Sequence, residues 1–104
     1  MILSERKPVS PGEILVEEFM GPLGLTQTEL ARTMGVERRL INEICLDKRA
    51  ITADTALMLA RVLRTSPEFW LNAQRRTDLW LALNDSKRRA RIERARPLRR
   101  RKAA

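Results

Sequence analysis

Four side chains between positions 38 and 43 have the types and spacing to do chemistry. Arg38, Arg39, Asn42 and Glu43 fall on one side of a helical stretch, while Leu40, Ile41, Ile44 and Cys45 recur on the other. An arginine fork matches O6 and N7 of guanine, an asparagine amide pairs with N6 and N7 of adenine, and a carboxylate accepts from N4 of cytosine. One face of such a helix can pack while the other meets base edges in a major groove. Groups suited to phosphate stand on both sides. Thr26 and Gln27 open the preceding helix, where backbone N–H groups favour an anion, and Lys48 and Arg49 follow the second helix. The plain alternative is a solvated polar face with no ligand, and the flanking phosphate candidates favour the reading surface over it.

Positioning these groups requires a two-helix unit, and residues 26–50 provide one. Thr26 followed by Glu29 is a capping box in which each side chain can satisfy the other's backbone N–H, and Leu25 and Leu30 form its hydrophobic staple. Gly35 ends the first helix, since it takes positive φ without a Cβ penalty, and the second is expected from Glu37 to Leu46. A helix-turn-helix needs a small residue at the crossing, a permissive turn and an apolar anchor. Ala31, Gly35 and Ile41, with Ile44, meet those needs.

The flanking sequence supplies further helices. Ser10-Pro11-Gly12-Glu13 has an N-cap, an N1 proline and an N3 glutamate, after which Ile14, Leu15, Phe19 and Met20 give an apolar face that Gly21-Pro22 is expected to stop. Thr52 caps a fourth helix through Leu63 in which Ala56, Leu57, Ala60 and Leu63 form one buried stripe, widened by Met58, Leu59 and Val62. Ser66-Pro67 starts a fifth, carrying Phe69, Trp70, Ala73, Thr77, Trp80 and Leu81. One tryptophan can close so small a core. Trp80, with Leu79, Leu81 and Leu83, is therefore a candidate dimer surface, its alternative being plain core. Asn84-Asp85-Ser86 breaks the pattern, and the basic run that follows reads as one more short helix or a disordered segment up to Pro97. Alternation of the strand kind is at most weak, near Ile92 to Leu98. The expected organisation is all-α: a mobile arm over residues 1–9, a helix-turn-helix domain over 10–84 whose fifth helix dimerises, and a basic, partly helical or disordered tail over 85–104.

Composition narrows the function. The 104 residues suffice for one small soluble domain, and no apolar run is long enough to span a bilayer. The first residues lack a continuous apolar core of the secretory kind, so a cytoplasmic location is expected. With no histidine and the single Cys45, neither a zinc site nor imidazole catalysis is available, nor is there a Gly-rich phosphate loop; an enzyme and a bound cofactor are not expected. Cys45 reads as a small core residue. The net charge of +8 comes from the tail: residues 87–102 hold ten Lys or Arg against Glu93, leaving 11 basic and 12 acidic groups elsewhere. Net charge therefore says little about the helical body.

The stretches SPGEILVEEFMGPLGLTQTELA, INEI, KRAITADTAL and TSPEFWLN, within residues 10–72, resemble HigA-type antitoxins of the lambda-repressor-like (Xre) helix-turn-helix class. The resemblance implies a five-helix domain that dimerises, binds a palindromic operator in its own promoter, and neutralises a HigB-like toxin that cleaves mRNA. It places Gln27, Arg38, Arg39, Asn42 and Glu43 at DNA-contact positions. Glu37 stands where many similar proteins carry Ser or Pro, and Leu46-Asp47 where they carry Asn-Gly. A free-standing repressor without a toxin shares all these features. A third possibility is a protein-interaction module whose arginine tail is its one nucleic-acid element. For a basic toxin, the acidic outer side of the first helix, Glu13, Glu17 and Glu18, offers complementary charge.

Overall fold

The computed structural model describes residues 6–99, and among these the protein is all-helical with no strand. The first helix, α1, covers residues 11–23 in three continuous segments: an α-helical turn Pro11–Ile14, a π-helical stretch Leu15–Met20, and a last turn Gly21–Leu23. Then follow α2 (Gln27–Met34), α3 (Arg38–Cys45), α4 (Ala53–Leu63), α5 (Pro67–Asn84) and α6 (Ser86–Glu93). The expected second helix of the reading unit is thus one residue shorter at each end, with Glu37 and Leu46 as its caps.

Four helix starts follow from their caps. Ser10 Oγ, Thr26 Oγ1, Thr52 Oγ1 and Ser66 Oγ each accept the N–H three residues on, at 3.1, 3.1, 3.4 and 3.1 Å. At Thr26 only this half of the box forms; the Glu29 carboxylate stays in solvent. Gly24 and Gly35 end α1 and α2 in the left-handed region, with φ of 65° and 75°.

Gly21-Pro22 does not stop α1, contrary to the sequence expectation. A proline inside an α-helix lacks a donor and its ring collides with the carbonyl four residues back. Here the turn ahead of it is wider: the Gly21 N–H bonds to the Val16 carbonyl, five residues back, and Pro22 is carried into one further turn. Leu25 N–H then closes that turn on Met20 O at 2.9 Å.

The core gathers Ile14, Leu15 and Met20 of α1, Leu30, Ala31 and Met34 of α2, Ile41 and Ile44 of α3, Ala56 and Leu59 of α4, and Trp70 and Ala73 of α5, all buried. Trp70 is fully enclosed, its indole N–H donating to Thr65 Oγ1 at 2.7 Å, and Phe19 and Phe69 pack on its ring at 5.3 and 5.1 Å between centroids. It therefore closes the core as expected of one tryptophan. Leu57 departs from the stripe assigned to it: it is 58% exposed, and the buried side of α4 is Thr55, Ala56 and Leu59. Leu81 on α5 is likewise exposed.

The basic run after Asn84 is helical as far as Glu93, in line with one of the two alternatives its sequence allowed, and residues 95–99 are irregular chain. Asp85 ends α5 and starts α6, its carboxylate accepting from the N–H groups of Lys87 and Arg88 at 3.0 Å each. No residue of α6 is buried. Of the expected arm, residues 1–5 lie outside the described residues, as do 100–104 of the tail; residues 6–9 are irregular chain. No helix of the described residues is long and apolar enough to cross a membrane.

Candidate nucleic-acid interface

The polar face of α3 stands free of the core. Ile41 and Ile44 are buried to within 1% and fix the helix against α1 and α2, with Leu40 and Cys45 half-buried at the margin. Ala31, buried at 3% exposure, is the small residue on α2. Arg38 and Arg39 are exposed on the first turn of α3, and Asn42 and Glu43 follow, half-buried, one turn on.

The four side chains are not equivalent. Glu43 Oε1 accepts from Arg39 Nε at 2.7 Å, and its second oxygen lies 3.4 Å from Arg49 Nε. The Glu43 side chain is 23% exposed against 84% for Arg39, so a sheltered carboxylate holds two more exposed guanidinium groups. In the unbound chain Glu43 is thus engaged on both oxygens, rather than standing as a free acceptor. Arg39 stays exposed beyond this bond, and Arg49, assigned by sequence to a neighbouring loop, is drawn to the α3 face. An exposed pair of this kind adds at most about 1 kcal/mol to stability; its effect is to orient the arginine forks.

The C-terminal end of α3 is fastened from a distance. Asp47 lies in the left-handed region at φ 58°, and the N–H groups of Asp47 and Lys48 return to the carbonyls of Ile44 and Glu43 at 3.0 and 2.8 Å, a Schellman-type turn. Aspartate tolerates this conformation better than most non-glycine residues, so Leu46-Asp47 makes the turn that Asn-Gly would make. Ser10 Oγ, almost fully buried, donates to Asp47 Oδ2 at 2.8 Å while capping α1. Gly12 lies against the same turn: a Cβ there would overlap Ile44 O and stand 2.6 Å from Asp47 Oδ1. The next loop is tied to α5, with Ile51 N–H donating to Gln74 Oε1 at 2.8 Å and Gln74 Nε2 to Asp78 Oδ1 at 2.9 Å.

These ties bring Lys7, Ser10, Asp47, Lys48 and Arg49 around one open groove of about 400 Å³. The structure therefore gathers Lys48 and Arg49 beside α3, and adds Lys7. Sequence reasoning missed Lys7, Ser10 and Gly12 as parts of this region, because contacts across nearly forty residues leave no local pattern. At the start of α2, Thr26 is exposed and committed to its cap, and Gln27 is half-buried with its Oε1 enclosed and lacking a hydrogen-bond donor.

The residues assigned to a dimer surface lie on the second half of α5. Leu79, Trp80 and Leu83 are each half-buried within the single chain. Lys7 Nζ stands 6.0 Å from the centre of the Trp80 ring, and the indole Nε1 is enclosed with no acceptor. Cys45 packs its thiol 3.8 Å from Met20 Sδ. Burial raises its pKa, and the Asp47 charge raises it further, as suits a packed rather than a reactive thiol.

Residues 16–70 match the family model described as Helix-turn-helix. The chain is 49% identical over 75 residues to an uncharacterized HTH-type transcriptional regulator of Haemophilus influenzae, covering 72% of this chain and 70% of that one. It is 44% identical over 77 residues to antitoxin HigA-1 of Vibrio cholerae, covering 74% and 72%. The solved structure of antitoxin GraA in complex with its operator superposes with a TM-score of 0.83 at 36% identity, over 96% of this chain and all of that one. By this match over more than half its length, and by relatives aligned along most of both chains, the protein belongs to the Xre-type helix-turn-helix family that includes the HigA antitoxins.

Proposed function

We propose that this chain is the antitoxin of a type II toxin–antitoxin pair, which represses its own operon by binding a palindromic operator as a dimer and neutralises a HigB-like mRNA-cleaving toxin. The observation that carries the DNA half is the Glu43 carboxylate holding Arg39 and Arg49 on the exposed face of a core-anchored α3. In this reading Arg38, Arg39 and Asn42 meet base edges. Glu43 is already engaged by two guanidinium groups, so its first role is to aim its neighbours. Thr26, Gln27, Lys48 and Arg49 meet phosphates and set the register. The operator complex of GraA, a protein of the same fold at 36% identity, supports the docking of such a helix on DNA.

A two-fold dimer presents α3 twice. Trp80, Leu79 and Leu83 are its proposed contact, because half-buried apolar side chains gathered on the second half of one helix suit a second protein surface better than water. The toxin is assigned to the outer side of α1, where Glu13, Glu17 and Glu18 are exposed beside the 41% exposed Val16.

Footprinting on the DNA upstream of the coding sequence tests the proposal. Two protected half-sites are expected about one helical turn, roughly 34 Å, apart. Protection that is uniform along unrelated DNA would sink the operator reading. Charge reversal of Glu17 and Glu18 is expected to abolish capture of the toxin encoded beside this chain and leave the footprint in place; unchanged capture removes α1 as the toxin surface. The likeness to a Haemophilus transcriptional regulator favours a second reading, a repressor acting alone. Failure of the chain to restore growth of cells expressing the neighbouring gene, with the footprint intact, selects that reading.

A further inference from the structure

The segment beginning at Lys87 lies beyond the residues matched to the family, 16–70, yet it carries the charge of the protein. Ten Lys or Arg stand against Glu93 between residues 87 and 102, while the rest of the chain has 11 basic and 12 acidic groups. The one acid is already taken, since Glu93 Oε1 accepts from Arg89 Nε at 2.8 Å. Among the described residues the side chains of Lys87, Arg88, Arg91, Arg94, Arg96 and Arg99 have no anionic partner, and all are exposed.

We infer that α6, with the described residues that follow it to Arg99, is a second nucleic-acid element, which grips the phosphate backbone of duplex DNA flanking the site read by α3. The inference rests on the operator-binding reading for its choice of DNA. Three observations support it. First, α6 is a formed helix, so Lys87, Arg91 and Arg94, at spacings of four and seven, make a single cationic stripe with Arg88 beside it. Second, Arg88 shares an open groove of about 490 Å³ with Ile51, Gln74 and Arg75, and Ile51 directly follows the Lys48-Arg49-Ala50 loop. Arg88 of α6 and the cations beside α3 thus line two neighbouring grooves that share Gln74 and Asp78, with Asp47 and Asp78 as the acids along them. Third, the chemistry suits a phosphate backbone rather than unpaired bases. From residue 87 onward there is no aromatic side chain to stack an unpaired base and no amide to read adenine. The body, at net charge −1, offers phosphate contacts where Lys48 and Arg49 stand beside α3, and a tethered cationic helix adds further ones at high local concentration.

The test compares the full chain with the full-length quadruple variant Lys87→Gln, Arg88→Gln, Arg91→Gln, Arg94→Gln, using a duplex from its own upstream DNA and a scrambled duplex of equal length. Binding is measured from 50 to 200 mM salt. If all four cations contact phosphate, the plot of log affinity against log salt becomes shallower by about 3.6 for each bound protomer, about 7 for a dimer, so that the loss across this salt range shrinks by at least roughly a hundredfold. Both duplexes should weaken alike at low salt, with the preference between them unchanged. The variant Arg88→Lys, Arg91→Lys, Arg94→Lys, which keeps the charge, should retain the steep slope and so separates charge from helix damage. An unchanged slope on both duplexes overturns the inference. So does a loss confined to the upstream duplex, or one seen with a single-stranded RNA oligonucleotide but not with duplex DNA. If the full chain shows no preference between the duplexes, the operator reading fails, and the slope difference still decides whether α6 grips a backbone.

Discussion

The two ends of α3 are built in opposite ways. Its C-terminal end is closed by the left-handed Asp47, the returning N–H groups of Asp47 and Lys48, the Ser10 hydroxyl and the close approach of Gly12. Its N-terminal end is open: Glu37 occupies the cap with no side-chain hydrogen bond, and Arg38 and Arg39 project into solvent. The helix is held by the end that does not read. Rigidity at one end fixes where the other points, while the open end, apart from the Arg39 Nε held by Glu43, presents its exposed arginines to a ligand.

The contrast can be broken most forcefully at Gly12. Gly12→Ala drives a methyl group into backbone at the end of α3, and a loss of about 3 kcal/mol is expected, or roughly 15 °C in Tm by circular dichroism. A melting point within two or three degrees of the parent, on the order of 0.5 kcal/mol, would show that the closed end yields easily. The open end should respond in binding instead. Arg39→Ala is expected to cost about 1 to 3 kcal/mol at one base position of the operator, whereas Lys48→Ala should weaken every sequence alike. Equal loss on all sequences from the Arg39 change would argue against direct readout.

Asp47 separates backbone from side chain at the closed end. Asp47→Ala adds to the left-handed strain and removes the acceptor of Ser10, so about 1 to 2 kcal/mol should be lost in urea unfolding. Asp47→Gly loses the same bond but relieves the strain, and is expected to fall between the alanine variant and the parent; a glycine variant less stable than alanine would contradict this division. The smallest effect is expected at Glu37. Glu37→Ser supplies the missing cap acceptor and should add about 0.5 to 1 kcal/mol of stability, and the removal of an acidic group beside the phosphates should also tighten DNA binding. A destabilised Glu37→Ser protein would mean that the open end is held by something other than its cap.

The same contrast marks how far the sequence could be read. Caps, glycine stops and the two faces of α3 are local, written within four residues, and Ser10, Thr26, Thr52, Ser66, Gly35 and the Ile41/Ile44 anchor were all legible. The readings that failed needed the neighbours. Pro22 signals a stop unless the preceding turn is wider than an α-helix, and Leu57 signals core unless the side it faces has no neighbour. The Ser10–Asp47 bond joins residues 37 apart and has no periodicity to reveal it. For Glu43, the position on the reading face was legible, but not its engagement with Arg39 and Arg49, because Arg49 comes from a loop whose path depends on Gln74 of α5.

The wide turn at Leu15–Met20 has a consequence for length. A π turn holds one residue more than the α turn it replaces, which is how a helix absorbs an insertion without losing its place at either end. Deleting one residue from this turn would restore ordinary α register and leave Ser10 and Gly12 docked on α3 as before. It would also return Pro22 to a position facing the carbonyl four residues back, so such a chain would need another residue there.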